Sequence, residues 1–258
     1  FNARFLTPSK RGRKASLEQV SGGNRREDQA PRDILTVLLA NRDDQDLNDD
    51  MILREVAFFM QAGAHSSANA LTHTFHELEQ WSEAHPEDRL RLKTDDSFLQ
   101  RSVHESLRLH PASPVAWREA SESFSLPDGT PVTAGDSVLI DLMSANLETS
   151  LFGEDAASFN PNREVANRIP TFGLTFGIGI HTCFGRDIAG GLGTAKAEDQ
   201  PPHLGTLTNL LKSLLRHDAR PDPSRPPVAD TATERPNWGS YPLLIGAPHL
   251  AKTAGATG

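Results

Sequence analysis

The single cysteine of the chain lies in a glycine-rich stretch, Phe176-Gly-Ile-Gly-Ile-His-Thr-Cys183-Phe-Gly185. Glycine permits backbone conformations with positive φ and lets the main chain approach a bulky ligand closely. A loop of this kind can point several N–H groups at one anionic atom, which suits a thiolate. The stretch therefore predicts a loop that presents Cys183 as a metal ligand. The alternative is a buried cysteine that acts as a small apolar residue.

Composition excludes several other classes of protein. One cysteine in 258 residues rules out an internal disulfide framework and a zinc or iron–sulfur site made of several cysteines. The net charge of -8 argues against a protein that binds nucleic acid. No apolar run approaches the roughly 18 residues of a membrane span, and no signal peptide is visible. We expect a cytoplasmic protein whose partners include neither nucleic acid nor a membrane.

A long helix is predicted from Asn48-Asp49-Asp50 to about Trp81, because acidic residues favour a helix start and apolar residues then recur at helical spacing. Its centre, Ala62-Gly-Ala-His-Ser66, is unusual, since glycine inside a helix costs about 1 kcal/mol relative to alanine. We therefore expect a compensating reason for Gly63.

Further along the same helix, His73 and His76 share a face and precede Glu77. The segment lacks the second histidine of a zinc-protease helix. We expect these side chains to form a solvated polar face, as we do for the basic residues of the N-terminal segment (Arg4, Lys10, Arg11, Arg13 and Lys14).

Ser97 is expected to cap the next helix, over residues 98–110, which Pro111 ends. This helix carries Glu105 and Arg108, a Glu-x-x-Arg pair that is weak by itself, because i,i+3 ion pairs occur on many helix surfaces. The remaining elements are predicted from local patterns. They are an extended segment at 115–118, a hairpin turning at Asp128-Gly129, a buried strand from Val138 that becomes helical at 144–146, a short or interrupted helix at 186–193, an amphipathic helix at 203–216 and a final strand at 238–245.

The order of these motifs resembles the cytochrome P450 family of haem-thiolate monooxygenases, whose cysteine loop has the pattern Phe-x-x-Gly-x-x-x-Cys-x-Gly. Phe176, Gly179, Cys183 and Gly185 match that pattern, and the Glu-x-x-Arg pair precedes it as the family requires. The resemblance, closest to the soluble bacterial type, implies a mainly α (α+β) fold with small β-sheets. It also implies the C-terminal portion of such a protein, with its N-terminal part missing.

The same resemblance organises the chain into three parts. Residues 1–46 would form a charged N-terminal helical segment, residues 47–248 the haem-binding core, and residues 249–258 a disordered tail.

Heme b is the cofactor that this resemblance implies, with Cys183 as the ligand of its iron. Sulfur ligation of this kind pushes electron density towards the iron and favours O–O cleavage. The other residues expected beside the cofactor are Phe176, Gly177 and Gly185 in the loop, and His181 and Arg118 at the propionates.

On the long helix, Ala62 and Gly63 would leave room for dioxygen. His65 and Ser66 stand where the family has an acid and a threonine, and they would relay protons. Val115 and Ala116 would face the substrate.

A buried ion-pair network is also implied, in which Arg163 joins Glu105 and Arg108. Because buried charges need full pairing, such a network would fix the backbone beside the cysteine loop.

The function implied is the insertion of one oxygen atom from O2 into a small hydrophobic or aromatic substrate, by hydroxylation or O-dealkylation. Electrons would come from a ferredoxin and its reductase or from a flavin reductase. Three alternatives remain open: a truncated or degenerate haem-binding protein without turnover, a peroxide-driven variant, and a thiol enzyme with Cys183 as nucleophile and His181 as base.

Overall fold

A computed structural model of the chain describes residues 1–166, 168–192, 203–233 and 235–246. Its contacts divide into two units, residues 1–65 and 66–258. The predicted mainly α (α+β) class with small sheets is confirmed. The disordered tail expected at 249–258, and part of the interruption expected after residue 190, lie outside the described residues.

Within that part of the chain, helices dominate, and their bounds are as follows. They are α1 (Thr7–Ser21), α2 (Ile34–Ala40), α3 (Asp49–Ala84), α4 (Asp88–Thr94), α5 (Asp96–Leu109), α6 (Leu142–Asn146), α7 (Thr149–Phe152), α8 (Arg186–Gly190) and α9 (Thr206–Arg216).

The first unit packs around a small apolar core made by Leu6, Leu35, Leu39 and Ile52. Helix α2 is capped by Asp33, whose side chain accepts a hydrogen bond from Thr36 N at 2.8 Å.

Two of the N-terminal basic residues correct the expectation of a purely solvated face. Lys10 pairs with Asp49 at 2.7 Å, and Arg13 pairs with Asp33 at 2.6 Å. The acids that meet them are distant in sequence, so inspection of the basic run alone could not find them.

Helix α3 runs unbroken through Gly63, as predicted, and continues three residues past the expected end at Trp81. Within the described residues, no helix has both the length and the apolar character needed to cross a membrane.

In the second unit, the C-terminal half of α3 packs with α4, α5 and α9. Phe75, Phe98, Val103, Leu207 and Leu211 are among the residues of this core. Helix α5 is capped by Asp95, whose carboxylate accepts from Phe98 N at 2.9 Å. The predicted cap at Ser97 is therefore wrong: Asp95, an equally good capping residue, stands two positions earlier, so the helix begins at Asp96 instead of Phe98.

The strands form two-stranded antiparallel sheets. They are β1 (Val115–Glu119) with β4 (Ser137–Asp141), β2 (Phe124–Ser125) with β3 (Pro131–Val132), β5 (Arg220–Pro221) with β8 (Leu243–Leu244), and β6 (Val228–Ala229) with β7 (Trp238–Ser240).

The hairpin predicted at Asp128-Gly129 is confirmed by the pairing of β2 with β3, and Gly129 has φ +87°. Two strand predictions need correction. Strand β4 is mostly exposed rather than buried, because its apolar run forms a sheet with β1 alone. The single strand predicted at 238–245 is divided into β7 and β8, which pair with different partners.

Candidate functional site

The loop that holds Cys183 is shaped by its glycines, as predicted. Gly177 and Gly179 have φ of +66° and +67°, and a short 3₁₀ turn, Gly179–His181, follows. A β-carbon at Gly177 would lie 3.2 Å from the carbonyl oxygen of His181, so this close approach also favours glycine. The turn brings Cys183 back beside Phe176, where Cys183 N donates to Phe176 O at 2.7 Å.

Cys183 is exposed at the tip of this loop, and apolar side chains surround it in sequence. The exposed fractions are 67% for Ile178, 97% for Ile180, 81% for Phe184 and 64% for Ile188. An exposed cluster of large apolar side chains usually marks a binding surface. A sulfur donor set among apolar residues fits a large apolar cofactor that carries a metal, and haem is such a cofactor.

The C-terminal end of α5 anchors the chain that leads into the loop. The last carbonyl groups of a helix have no partner inside the helix. Here Leu107 O accepts from the Thr175 hydroxyl at 2.6 Å, and Arg108 O accepts from Asn146 Nδ2 at 2.9 Å. Asn146 is fully buried, and its Oδ1 accepts from Leu174 N at 2.7 Å. The end of α5 and Asn146 thus fix residues 174 and 175, just before the loop.

Two further polar side chains on the same face of α5 bind the chain on either side of the loop. His104 lies 2.7 Å from Thr171 Oγ1 and 2.7 Å from Gly190 O. Gln100 Nε2 donates to Leu192 O at 2.8 Å, beyond α8. Sequence reasoning missed both residues and the role of Asn146. The available signal was the spacing of Gln100, His104 and Arg108, four residues apart on one helix face.

Glu105, Arg108 and Arg163 are brought together by the structure. Arg108 is fully buried and donates to Glu105 from Nε at 2.9 Å and from NH2 at 2.7 Å. Arg163 Nε donates to Glu105 Oε1 at 2.9 Å. Arg108 NH1 also donates to two main-chain carbonyl groups, those of Asn146 and Ala156. The charges are well paired, and the network ties α5 to the segment between α6 and Arg163.

Strand β1 holds three of the sequence-predicted residues. Val115 lines a cavity of about 550 Å³. Ala116 is half-buried and pairs with Ile140 in the sheet. Arg118 donates from NH1 to Trp117 O at 2.7 Å, which leaves its other guanidinium N–H groups for a further acceptor. His181, at the end of the 3₁₀ turn, is exposed.

Helix α3 carries Ala62, Gly63, His65 and Ser66 in one continuous run. Among the described residues, nothing lies within 4 Å of the place that a β-carbon at Gly63 would take, so their packing does not explain the glycine. His65 is exposed and Ser66 is half-buried. The boundary between the two units falls between these residues.

The expected solvated face at His73 is wrong. His73 is buried, its ring stacks on that of His110 at 4.3 Å between centroids, and Nε2 lies 3.4 Å from Asn237 Oδ1. Burial, together with the neighbouring His110, lowers the pKa of His73 to about 4. No group of three or more His, Cys, Asp or Glu side chains in the described ranges is arranged to hold a metal ion.

Comparisons with known proteins converge on one family. The model of the family described as Cytochrome P450 matches residues 5–190. Ganoderic acid synthetase of Ganoderma lucidum is 27% identical over an alignment of 196 residues, and the match covers 61% of this chain and 34% of that protein. Human cytochrome P450 4F11 is 27% identical over an alignment of 179 residues, and this match also covers 61% of this chain and 34% of that protein.

Among solved structures, CYP154A1 from Streptomyces coelicolor A3(2) is similar in fold, with a TM-score of 0.57 and 23% identity. That match covers 89% of this chain and 52% of the other. The chain thus spans about a third of the length of the two relatives named above. Since they come from a fungus and a human, a bacterial origin for this chain stays a prediction.

Proposed function

The chain belongs to the cytochrome P450 family, and we propose that it supplies the haem-thiolate centre of a monooxygenase. The observation that carries this proposal is the exposed Cys183, presented by a glycine-shaped loop among apolar side chains. In the proposed reaction, one atom of O2 enters a substrate C–H bond. The other atom leaves as water, with two protons and with two electrons from a redox partner.

Cys183 would hold the iron of heme b through its thiolate, and the exposed Ile178, Ile180 and Phe184 would provide apolar contacts to the ring. Haem, when bound, supplies the iron at which dioxygen is activated. Arg118 and His181 are proposed to bind the two propionates, since a guanidinium fork matches a carboxylate and imidazole can donate to one. Phe176, Gly177 and Gly185 would keep the loop in the conformation that presents the sulfur.

Proton delivery is proposed for His65 and Ser66. An imidazole can act as a general acid or base, and a serine hydroxyl can donate one hydrogen bond while it accepts another. Ala62 and Gly63 would leave room for dioxygen, which gives the glycine a reason that protein packing does not. Because histidine and serine replace the family's acid and threonine, His65→Ala is expected to lower turnover while leaving substrate binding unchanged.

A small hydrophobic or aromatic substrate is proposed from the cavity beside β1. Its volume of about 550 Å³ lies in the usual range for small-molecule sites. Val115, Pro111, Pro114 and Met143 line it and provide apolar contacts. Hydroxylation or O-dealkylation in such a site would need electrons from a ferredoxin and its reductase or from a flavin reductase. Ala116, next to Val115, is proposed to face the same substrate.

The test is the absorption spectrum of the haem-reconstituted chain in its reduced, carbon-monoxide-bound form. We expect a strongly red-shifted Soret band that Cys183→Ser abolishes. Thr182→Ser is the matched control, because it alters the adjacent residue but keeps the hydroxyl that bonds Gly179 O at 2.8 Å. Absence of the band in the unaltered chain, or its persistence in Cys183→Ser, would contradict thiolate ligation.

A peroxide-driven reaction is the second candidate, favoured by the altered residues at 65 and 66. Hydrogen peroxide already carries the electrons and protons that O2 would need. Substrate oxidation with peroxide alone, unaffected by His65→Ala, would favour this candidate. Binding of haem without oxidation under either condition would instead identify a haem-binding protein without turnover.

A further inference from the structure

The imidazole of His104 joins the two ends of the segment that contains Cys183. Its Nδ1 lies 2.7 Å from the hydroxyl of Thr171, and its Nε2 lies 2.7 Å from the carbonyl oxygen of Gly190. The side chain is buried in α5, with a residue exposure of 3%. One rigid ring therefore binds both the first and the last residue of the segment 171–190.

The partners of the ring determine which nitrogen carries the proton. A carbonyl oxygen can only accept, so Nε2 must carry a hydrogen and donate it to Gly190 O. Burial lowers the pKa of His104 and keeps the ring neutral, which leaves Nδ1 to accept from the Thr171 hydroxyl. Both nitrogens are thus satisfied in a single tautomer, as a buried ring requires.

A chain of aromatic contacts extends from His104 to the main chain at Cys183. The rings of Phe172 and His104 meet edge to face at 5.3 Å between centroids, and those of Phe172 and Phe176 do so at 5.0 Å. The carbonyl group of Phe176 accepts the hydrogen bond from Cys183 N. Phe176 also packs against Gly190, where a β-carbon would lie 3.2 Å from the Phe176 ring. Displacement of either end of the segment would therefore be transmitted to residue 183.

We infer that His104 is a positioning residue for Cys183. Its two hydrogen bonds hold residues 171 and 190 at a fixed separation. Phe172 and Phe176 pack inside this segment, and Phe176 O binds Cys183 N, so the separation fixes the position of the Cys183 main chain. The significance of this placement for a metal ligand rests on the function proposed above. The position of the Cys183 main chain can itself be measured without haem.

Two substitutions separate hydrogen bonding from packing. His104→Phe keeps an aromatic ring against Phe172 but removes both polar atoms. His104→Gln supplies an amide donor and an amide acceptor about as far apart as the two ring nitrogens, so it can keep both bonds. Ser102→Ala is the control on the same helix, because the Ser102 hydroxyl bonds Phe98 O within α5.

Amide hydrogen exchange of the unaltered chain and these variants is the primary measurement. Loss of two hydrogen bonds should speed exchange at the Cys183 amide and across residues 171–190 by roughly 10- to 100-fold in His104→Phe. His104→Gln and Ser102→Ala should change it by less than about threefold, because they retain both bonds. If His104→Phe does not fold, Thr171→Val removes one bond at an exposed residue and should give about a tenfold effect.

Unchanged exchange at Cys183 in His104→Phe, or in Thr171→Val where that variant replaces it, would overturn the inference. Amide exchange that speeds up equally in β1 and β4 would also overturn it, because that result would indicate general destabilisation. After haem reconstitution, His104→Phe should lose part of the red-shifted Soret band and His104→Gln should retain it. A missing band in the unaltered chain contradicts the proposed function, whereas the exchange data still decide the role of His104.

Discussion

The side chain of Asn146 occupies the space that a β-carbon at Gly173 would need. The clash would involve Asn146 Oδ1, the same atom that accepts from Leu174 N at 2.7 Å. Gly173 also has φ +60°, which side-chain-bearing residues adopt at a cost. The main chain can therefore cross the buried amide and bond to it because residue 173 has no side chain.

Gly173→Ala is expected to destabilise the protein by about 2–4 kcal/mol, from positive-φ strain of about 1 kcal/mol plus overpacking against Asn146. Gly129→Ala is the matched control, since Gly129 has φ +87° but open space around its Cα. It should lose only about 1 kcal/mol. Urea unfolding of both variants measures the difference. Equal losses would contradict the close contact with Asn146.

Glu105→Gln is expected to cost about 3–5 kcal/mol, because it leaves the fully buried Arg108 without its charged partner. Asp50→Asn breaks the exposed pair with Arg54 (2.7 Å) and should cost less than about 1 kcal/mol. Chemical unfolding compares the two. A loss for Glu105→Gln as small as that for Asp50→Asn would show that the buried network adds little stability.

Tyr241 is the single tyrosine of the chain, so its ionisation can be followed by ultraviolet absorbance. Burial raises its pKa to about 12, and its hydroxyl lies 3.0 Å from His76 Nδ1. We expect the phenolate to appear near pH 12 in the folded protein and near pH 10 in denaturant. A folded-state midpoint near 10 would place Tyr241 in solvent rather than against His76 and Trp238.

His73 should make the protein sensitive to acid. The unfolded chain protonates this histidine near pH 6.5, whereas the folded chain does so only near pH 4. His73 therefore does not change the free energy of unfolding above about pH 6.5. Its contribution lowers that free energy as the pH drops towards 4, by at most about 3 kcal/mol. His73→Phe, which keeps a ring against His110, should flatten this dependence in unfolding experiments.

Local patterns predicted much of the fold. Acidic residues at the helix start and helical periodicity located α3, and the Asp128-Gly129 turn located the β2–β3 hairpin, since each signal lies within the element that it specifies. The positive φ values at Gly177 and Gly179 were predictable for the same reason. Glycine adopts such φ values readily because it has no β-carbon.

Long-range contacts could not be predicted in this way. Helical spacing places Gln100, His104 and Arg108 on one face, but it does not show that a segment some 70–90 residues later binds there. The burial of His73 depends on His110 and on Asn237, beside β7, and neither lies near it in sequence. The capping error at Ser97 arose differently, because Asp95 and Ser97 are both good caps and the choice depends on local geometry.

Helix α5 holds the cysteine segment partly through main-chain carbonyl groups, which every amino acid provides. Leu107 O accepts directly from Thr175, and Arg108 O accepts from Asn146, which in turn binds Leu174 N. Mutational tolerance should therefore be uneven on the two sides of this contact. The side chain of Leu107 could be exchanged for another apolar one without removing the bond from Thr175. The tether from Asn146 has no such freedom, because one amide group both donates and accepts there. A library built on this chain should vary residue 107 before residue 146.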